Sequence, residues 1–564
     1  MKLNIVDRLV GALDPVRGAQ RAKARAQLAA FEGASAVMHG GPGGGYTSTS
    51  GADPFLRRWA AVPRSAEADT LRHLPGLRAQ SRDLARNNPI AASAINTAVM
   101  RAIGTGLAYS AQPHIATLGW SEAQAEDWRG EVQAEFSLYA DSKDCSWDGD
   151  GNFYEQQALA LRTVLESGDG FTVLPDGKRT ATMPYALRLQ LLEADRVGNP
   201  FGKPDDPNVC GGIRRVQGRV QSVHIYHRHP GGVLRTGNAY AGEWVDVIGS
   251  SGRRRVLHHF IKLRPEQPRG VPHLAPVMGL FKLIGDYTDA EVKAAVISAF
   301  LTVFIETESG AGPAPVFGLE DTASGRPAVA GQGAASGFAA DEVALGPAAI
   351  IGLAKGEKAN VVNPGRPNPA FGPFLDAVLD QLGAGTFMGR EMLMKRYSTS
   401  YVAARAAFLD AWTWLRSIRA MVALSHSQPI LETWMAEAVA LGRVRAPGFF
   451  ADPRLRWAYT RAGWHGDSQG SINPKDEVAA YVAARDARLI SNERAEWELF
   501  GTDWQAGYST KLSEHRKMER DGMLPVPKAG AAAPQAGAAP ADPADPEENP
   551  ATDTPHQQGA EITP

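Results

Sequence analysis

Between Leu274 and Ile305 the positions Leu274, Val277, Phe281, Ile284, Thr288, Val292, Ala295, Ala299 and Val303 follow the three-four spacing of one helix face. At about 1.5 Å per residue a helix over this span is close to 50 Å long. Such a helix carries more apolar face than one chain covers, so it calls for neighbours, including further copies of the chain. A membrane is not the neighbour. The best apolar candidate, Ala294 to Ile305, is bracketed by Lys293 and Glu306 and falls short of the roughly 18 to 20 apolar residues that span a bilayer. The pattern reads as a soluble protein.

The flanking sequence divides into distinct characters. Residues 1–30 predict a basic amphipathic helix with Ile5, Leu9 and Leu13 on one side, broken by Gly40 to Gly45. The first 25 residues hold six Lys/Arg and two Asp without an uninterrupted apolar run, so a tethered arm is expected rather than a signal peptide. From Gly76, Leu77, Leu84, Ile90, Ile95, Val99 and Ile103 recur at helical spacing and predict a helix stopped by Gly104 to Gly106. Further helices are predicted over about 121–140 and from Phe153 to Glu166. From Phe171 to Leu263 the chain turns β-rich, with Ala186 to Leu192, Val220 to Tyr226 and Val256 to Leu263 separated by Gly, Pro, Asp and Asn.

Gly310 to Pro369 is rich in Gly, Ala and Pro, and its strand-like pieces Ala348 to Leu353 and Ala359 to Val362 predict a small β module between two helices. A helix is expected over Phe371 to Leu382, a break at Gly383 and Gly385, and a long helical stretch from Ser400 to Leu441. Asn473, Pro474 and Asp476 place an N-cap, a first-position proline and a first-turn acid for another helix. From Ala529 onward there are six acids and no Lys or Arg among Pro, Ala and Gly, a composition that predicts disorder. The whole reads as α+β in several domains.

Composition narrows the function. The chain has 564 residues, 44% of them hydrophobic, which is enough for a sizeable core in more than one domain. Fifty-nine basic and 61 acidic side chains give a net charge of −2, which excludes a protein that coats nucleic acid over its whole surface. Cys145 and Cys210 are too few for a disulfide framework and fit a reducing compartment.

Catalytic and metal-site patterns each fail on a required residue. Gly466-Asp467-Ser468-Gln469-Gly470 matches the serine-nucleophile elbow and makes a serine hydrolase the alternative reading. However, the next helix opens only at Pro474 and no buried strand is expected ahead of Trp464, so a polar loop is predicted. Asp148, Asp150 and Asn152 start a calcium-loop spacing, but Phe153 and Leu159 stand where glycine and glutamate are needed; Asn152 is expected to cap a helix. His224, His227, His229, His258 and His259 do not follow a zinc spacing. The Gly-Lys pairs at Gly177 and Gly202 lack the phosphate-loop context, and Gly104-Thr105-Gly106 ends a helix instead of opening one. No enzyme, cofactor, metal ligand or catalytic residue is assigned.

Four blocks resemble the lambda family of phage portal proteins. They are Ser81-Arg82-Asp83-Leu84-Ala85-Arg86-Asn87-Asn88-Pro89 with Gly104-Thr105-Gly106-Leu107; Leu192-Glu193-Ala194-Asp195-Arg196-Val197; His259 to Pro276; and Ser398 to Trp412. Gly470 to Glu477 is similar to the family's Asp-Pro-x-Lys-Glu segment, with Asn473 in place of Asp. Thr386 to Lys395 departs from it, with Phe387, Met388 and Gly389 where relatives carry a Gly-Leu-Pro turn.

The resemblance implies a portal architecture: an arm (1–74), a wing (75–272), a first stem helix (273–309), a clip (310–369), a second stem helix (370–384) and a tunnel loop (385–399). An inner wing helix and its return (400–470), a crown (471–524) and an acidic tail (525–564) complete it. It also implies a dodecameric ring, a homo-oligomer of about twelve subunits, at one capsid vertex of the virion, assembled in the host cytoplasm. Double-stranded DNA would pass through it during packaging and ejection. The implied partners are the terminase large subunit, the major capsid protein with its scaffold, and the head-tail joining proteins. A channel that lets a duplex slide cannot grip phosphate along its length, so a few local cations are what it needs. Arg390, Lys395 and Arg396, bounded by Ser398 and Ser400, would form that collar, unless they pair with wing acids instead.

Overall fold

The computed structural model describes residues 62–233, 239–300, 304–307, 357–360, 371–397, 400–468, 470, 474–502 and 504–523. The expected arm up to residue 61, the expected acidic tail (525–564), Ser398 and all of the expected clip except 357–360 lie outside the described residues. Helix α1 (Ala66–Thr70) is capped by Ser65. The single helix expected across Leu77 to Ile103 is two, α2 (Leu74–Asn87) and α3 (Pro89–Ala102). Pro89 excludes Asn88 from the helical basin, and Asn88 sits extended at φ −108°, ψ 115°. Its Oδ1 accepts the Ile90 and Ala91 amides at 3.0 Å each, while its Nδ2 donates to the Phe281 carbonyl at 2.8 Å. One side chain therefore caps a helix and ties it to the next layer.

Strand β1 (Ala108–Ala111) and the short α4 (Ile115–Leu118) lead into α5 (Glu122–Ala140), which a Ser121/Gln124 capping box opens. Helix α6 (Phe153–Ser167) starts on Asn152, as expected, with Glu155 closing a second capping box. The β-rich middle forms two antiparallel sheets. They use β2 (Asp169–Val173), β3 (Gln190–Glu193), β4 (Val209–Cys210), β5 (Ile213–Val216), β6 (Arg219–Tyr226), β7 (Gly242–Asp246) and β8 (Val256–Phe260). The orders are β3-β2-β8 and β4-β5-β6-β7.

The long apolar run yields α7 (Met278–Phe300), 23 residues and about 35 Å, shorter than expected at both ends. Leu274 and Val277 pack as buried turns ahead of it, beside Pro276. Phe304 and Ile305 belong to β9 (Phe304–Thr307), paired antiparallel with β10 (Glu357–Asn360). Helix α8 (Phe371–Thr386) runs through Gly383 and Gly385, where a break was expected. Their missing Cβ atoms serve close packing: one on Gly383 would lie 2.8 Å from the Met388 carbonyl, and one on Gly385 would collide with Val277 Cγ1.

After the short α9 (Arg390–Met394), the stretch expected from Ser400 to Leu441 is helical as α10 (Tyr401–Val422) and α11 (Gln428–Ala440), joined by a π turn at Ala423–Ser427. Pro429 has no amide to donate and its ring crowds the preceding turn, so the widened turn lets the helix continue where an α turn would break. Helix α12 (Pro453–Thr460) and β11 (Ala462–His465), which pairs with β1, precede α13 (Pro474–Asp486), α14 (Asn492–Phe500) and α15 (Trp504–Arg520).

One core joins α2, α3, α6 to α8 and α10 around Ile95, Leu161, Phe281, Leu382 and Leu415; a second, aromatic core gathers Phe136, Tyr139, Phe153, Tyr185 and Trp434. Between sheet and helices Asp169 is fully buried. It accepts Arg269 Nε at 2.5 Å, Arg78 Nη2 at 2.6 Å and His258 Nε2 at 3.1 Å. Burial opposes its charge, but Arg269 and Arg78 outweigh that and hold its carboxyl well below the usual carboxylate range. Asp195, bonded to Arg78 and Arg82, is lowered for the same reason. Burial also pushes His258, His259 and His273 down, and His426 to about 3.

These buried histidines stay neutral in the folded chain, whereas the unfolded chain protonates them below about pH 6.5. Stability is expected to be full above that pH and to fall as pH drops, by up to about 1.4 kcal/mol per unit for each histidine. A further loss is expected below about pH 4, as the unfolded chain protonates the counterparts of Asp169 and Asp195. Denaturant midpoints between pH 8 and 3 measure both; a flat profile contradicts the neutral assignment. Asn88→Ala should cost about 2 kcal/mol through the lost cap and the unpaired Phe281 carbonyl. Asn88→Asp, which keeps the cap acceptor and loses the donor, should fall between the two.

Candidate channel site

The sequence placed its candidate cations in the segment after α8, and packing there is tight. Phe387 has φ +57°, a left-handed conformation that an aromatic residue adopts at a cost. Its ring stacks with Trp414 of α10 (centroids 5.9 Å) and with His273 (6.3 Å), and His273 stacks on Trp414 at 4.8 Å. The His273 Nε2 lies 3.2 Å from the Thr386 carbonyl. Three rings thus clamp the approach to α7, the end of α8 and the middle of α10. Beyond the clamp Met388, Met392 and Leu393 are buried in the first core, and the Leu393 carbonyl accepts Ser93 Oγ of α3 at 2.8 Å.

The expected loop over 385–399 is therefore helical at 385–386 and 390–394, and its first half is anchored by buried methionines instead of hinged on glycines. Arg390 does not pair with acids of the expected wing: its guanidinium lies 3.3 Å from Asp376 and 3.9 Å from Asp380, one turn apart on α8. Lys395, left-handed at φ +53°, Arg396 and Tyr397 are exposed at the far end. Ser400 caps α10, its Oγ accepting the Ala403 amide at 3.4 Å. Arg390 is thus engaged with α8, whereas Lys395 and Arg396 are exposed. Neither Arg390's acids, which lie on a different helix, nor the ring clamp, drawn from residues over a hundred positions apart, had a local sequence signal.

The alternative serine site is arranged as a strap. The short strand β11 that leads into it is half-buried along its length and pairs with β1, so no buried strand precedes the motif. The Asp467 carboxylate accepts the Thr105 amide at 3.3 Å and its hydroxyl at 3.1 Å, against Gly104, whose missing Cβ gives it room. Arg419 donates to the carbonyls of Ala102 (2.7 Å), Asp467 (2.9 Å) and Arg101 (3.2 Å). Ser468 Oγ accepts the Gly470 amide at 3.3 Å, an ordinary turn contact. This arrangement caps the end of α3 and joins it to α10. The strand histidines are dispersed among separate partners: His224 to the Gly198 carbonyl, His229 to Glu193, His258 to Asp169, and His259 between Thr172 and Ser425. Among the described residues no three His, Cys, Asp or Glu side chains gather to hold a metal, and no helix is long and apolar enough to cross a membrane.

Comparison with known proteins bears on this arrangement. The chain is 25% identical to the portal protein of Escherichia phage N15, over 88% of this chain and 93% of that one. It is 24% identical to portal protein B of Escherichia phage lambda, over 86% and 91%. Among solved structures it resembles a chain in the neck of a native gene transfer agent particle reconstructed with C12 symmetry, at 11% identity and TM-score 0.40, covering 74% of this chain and 92% of that chain. A chain in the empty particle's neck, with C6 symmetry, gives 13% and 0.41 at the same coverage. The sequence model of the phage portal protein, lambda family, matches residues 53–419, from ahead of α1 into the Arg419 turn of α10, and the chain therefore belongs to the lambda family of phage portal proteins.

Proposed function

We propose that copies of this chain form the ring-shaped portal at one capsid vertex, a structural channel through which DNA is packaged and ejected. The observation that carries the proposal is the family match across residues 53–419. Helices α7 and α8 serve as the stem, the sheets and α2 to α6 as the wing, β9 and β10 as part of the clip, and α13 to α15 as the crown. The terminase motor, the capsid protein with its scaffold and later the head-tail joining proteins dock on this ring. The mixed faces of the stem fit such an assembly: Leu283, Val292, Val296 and Phe374 are all more than half exposed or nearly so in the single chain.

Within the channel we assign DNA contact to Lys395 and Arg396, the exposed end of the anchored segment, with Ser400 fixing the helix behind them. Arg390 acts as a strut between that segment and α8. Repeated around a ring, a pair of exposed cations gives a local positive collar without binding phosphate along the whole channel.

Sedimentation should show a species of many hundred kilodaltons with a central hole in negative stain; a persistent 60.2 kDa monomer in every salt condition would overturn the ring. Replacing Lys395 and Arg396 together with Ala should leave ring yield unchanged on gel filtration and reduce nuclease-protected DNA severalfold in a complemented phage. Arg390→Ala should instead loosen the segment and raise its cleavage by trypsin after Lys395 and Arg396. Normal packaging by the double variant contradicts the collar.

A further inference from the structure

Helices α10, α13 and α14 and the strap at 466–468 enclose an open cleft of about 500 Å³. Its lining is aromatic: Trp412 comes from α10, Tyr481 from α13 and Trp497 from α14, and Leu409 of α10 lines it while 43% exposed. The acids of the lining are already engaged. Asp467 holds Thr105, and Glu498 accepts from Tyr481 at 2.8 Å and from Arg494 at 2.9 Å. Arg416 is not engaged: it is exposed, and among the described residues none bonds to its side chain. Its charged neighbour is another cation. Burial lowers the Arg419 pKa, Asp467 opposes that, and the Arg416 charge lowers it further. Arg101 of α3, also without an acidic partner, lies over the Phe408 ring at 5.6 Å, and Phe408 stacks on Trp412 at 6.1 Å. The result is an aromatic slot beside unpaired guanidinium groups, whose planar forks match carboxylates.

The chain carries a ligand of that chemistry in the tail outside the described residues. There Pro540, Pro543 and Pro546 recur every third residue, and Asp542, Asp545 and Glu548 recur with the same period. Among the tail's prolines only these three keep that spacing. A polyproline II helix has three residues per turn, so the prolines form one edge and the acids another. Such segments dock in aromatic-lined grooves with little loss of entropy, because their helix is preformed. Reach is sufficient. Lys511 of α15 pairs with Glu496, next to Trp497, and Met523 lies about 20 Å further along. The joining residues 524–539 can span roughly 55 Å. Duplex DNA does not enter a cleft of this size, which falls in the range of small-ligand sites.

We propose that residues 540–548 dock in this cleft of their own chain, prolines against Trp412 and Trp497 and acids toward Arg416, and staple the C-terminal helices to α10. The contact is made within one chain and does not depend on the ring. The test is cleavage of the full chain by endoproteinase Glu-C, scored at Glu547 and Glu548 and normalised to Glu561 of the same tail. Arg416→Glu, at an exposed position without a partner, should speed cleavage at the first two at least about tenfold, because cleavage follows the population of the open form. Asp542→Arg/Asp545→Arg should speed it likewise. Combining those changes with Arg416→Glu should restore the slow rate, which a general loosening of the fold would not do. A photoreactive p-benzoylphenylalanine in place of Ala544 should cross-link to peptides that contain Trp412 or Trp497. Equal cleavage of wild type and Arg416→Glu overturns the docking, as does a cross-link elsewhere on the chain. Cross-links formed only between copies of different isotopic label overturn the intramolecular contact. Ultraviolet cross-linking of added oligothymidine to the same peptides, at an unchanged rate of tail cleavage, overturns the tail as occupant in favour of nucleic acid.

Discussion

A buried carboxylate organises the centre of this fold. Asp169 has no exposed surface, and taking it and its arginines out of water costs several kcal/mol per ion. That cost is offset because the forks around it are satisfied: Arg269 reaches Asp169 and the carbonyls of Ala194, Gly211 and Val197, and Arg78 reaches Asp169, Asp195 and the Ser167 carbonyl. Loops that no strand ladder holds are thereby fixed by guanidinium groups. Removing one member would leave an uncompensated buried charge, worth about 3–5 kcal/mol.

The cluster also explains which sequence blocks carry the family resemblance. Arg82 comes from the first block, Asp195 from the second and Arg269 from the third, and all three belong to one ionic network around Asp169 and Arg78. The Gly104-Thr105 pair that completes the first block receives Asp467, and Arg405 of the fourth pairs with Glu477. These residues are joints between elements, where geometry and charge both constrain the side chain, unlike core positions that tolerate any apolar residue of suitable size.

From these joints the long helices take their positions. The segment 269–277 leads directly into α7, Asn88 holds the Phe281 carbonyl, and the clamp of His273, Phe387 and Trp414 fixes where α8 ends. Among the described residues of 385–397, Lys395 to Tyr397 form the exposed end. The exposed cations of the proposed channel are thus carried on a rigid mount.

The sequence by itself determined the α+β class, the Asn152 cap, the β-rich middle, the long helix after Ser400 and the segment that holds the candidate cations. These depend on periodicity and on contacts within a few residues. Tertiary structure alone decided the rest. Gly383 and Gly385 pack inside a helix because Met388 and Val277 approach them; Phe304 and Ile305 leave the helical pattern because a strand more than fifty residues away pairs with them. Arg390 finds its acids on a neighbouring helix, and Asp467 turns a nucleophile-like motif into a strap against Thr105, 362 positions away, because the partners that set a side chain's role lie on other elements and come near only in the folded chain.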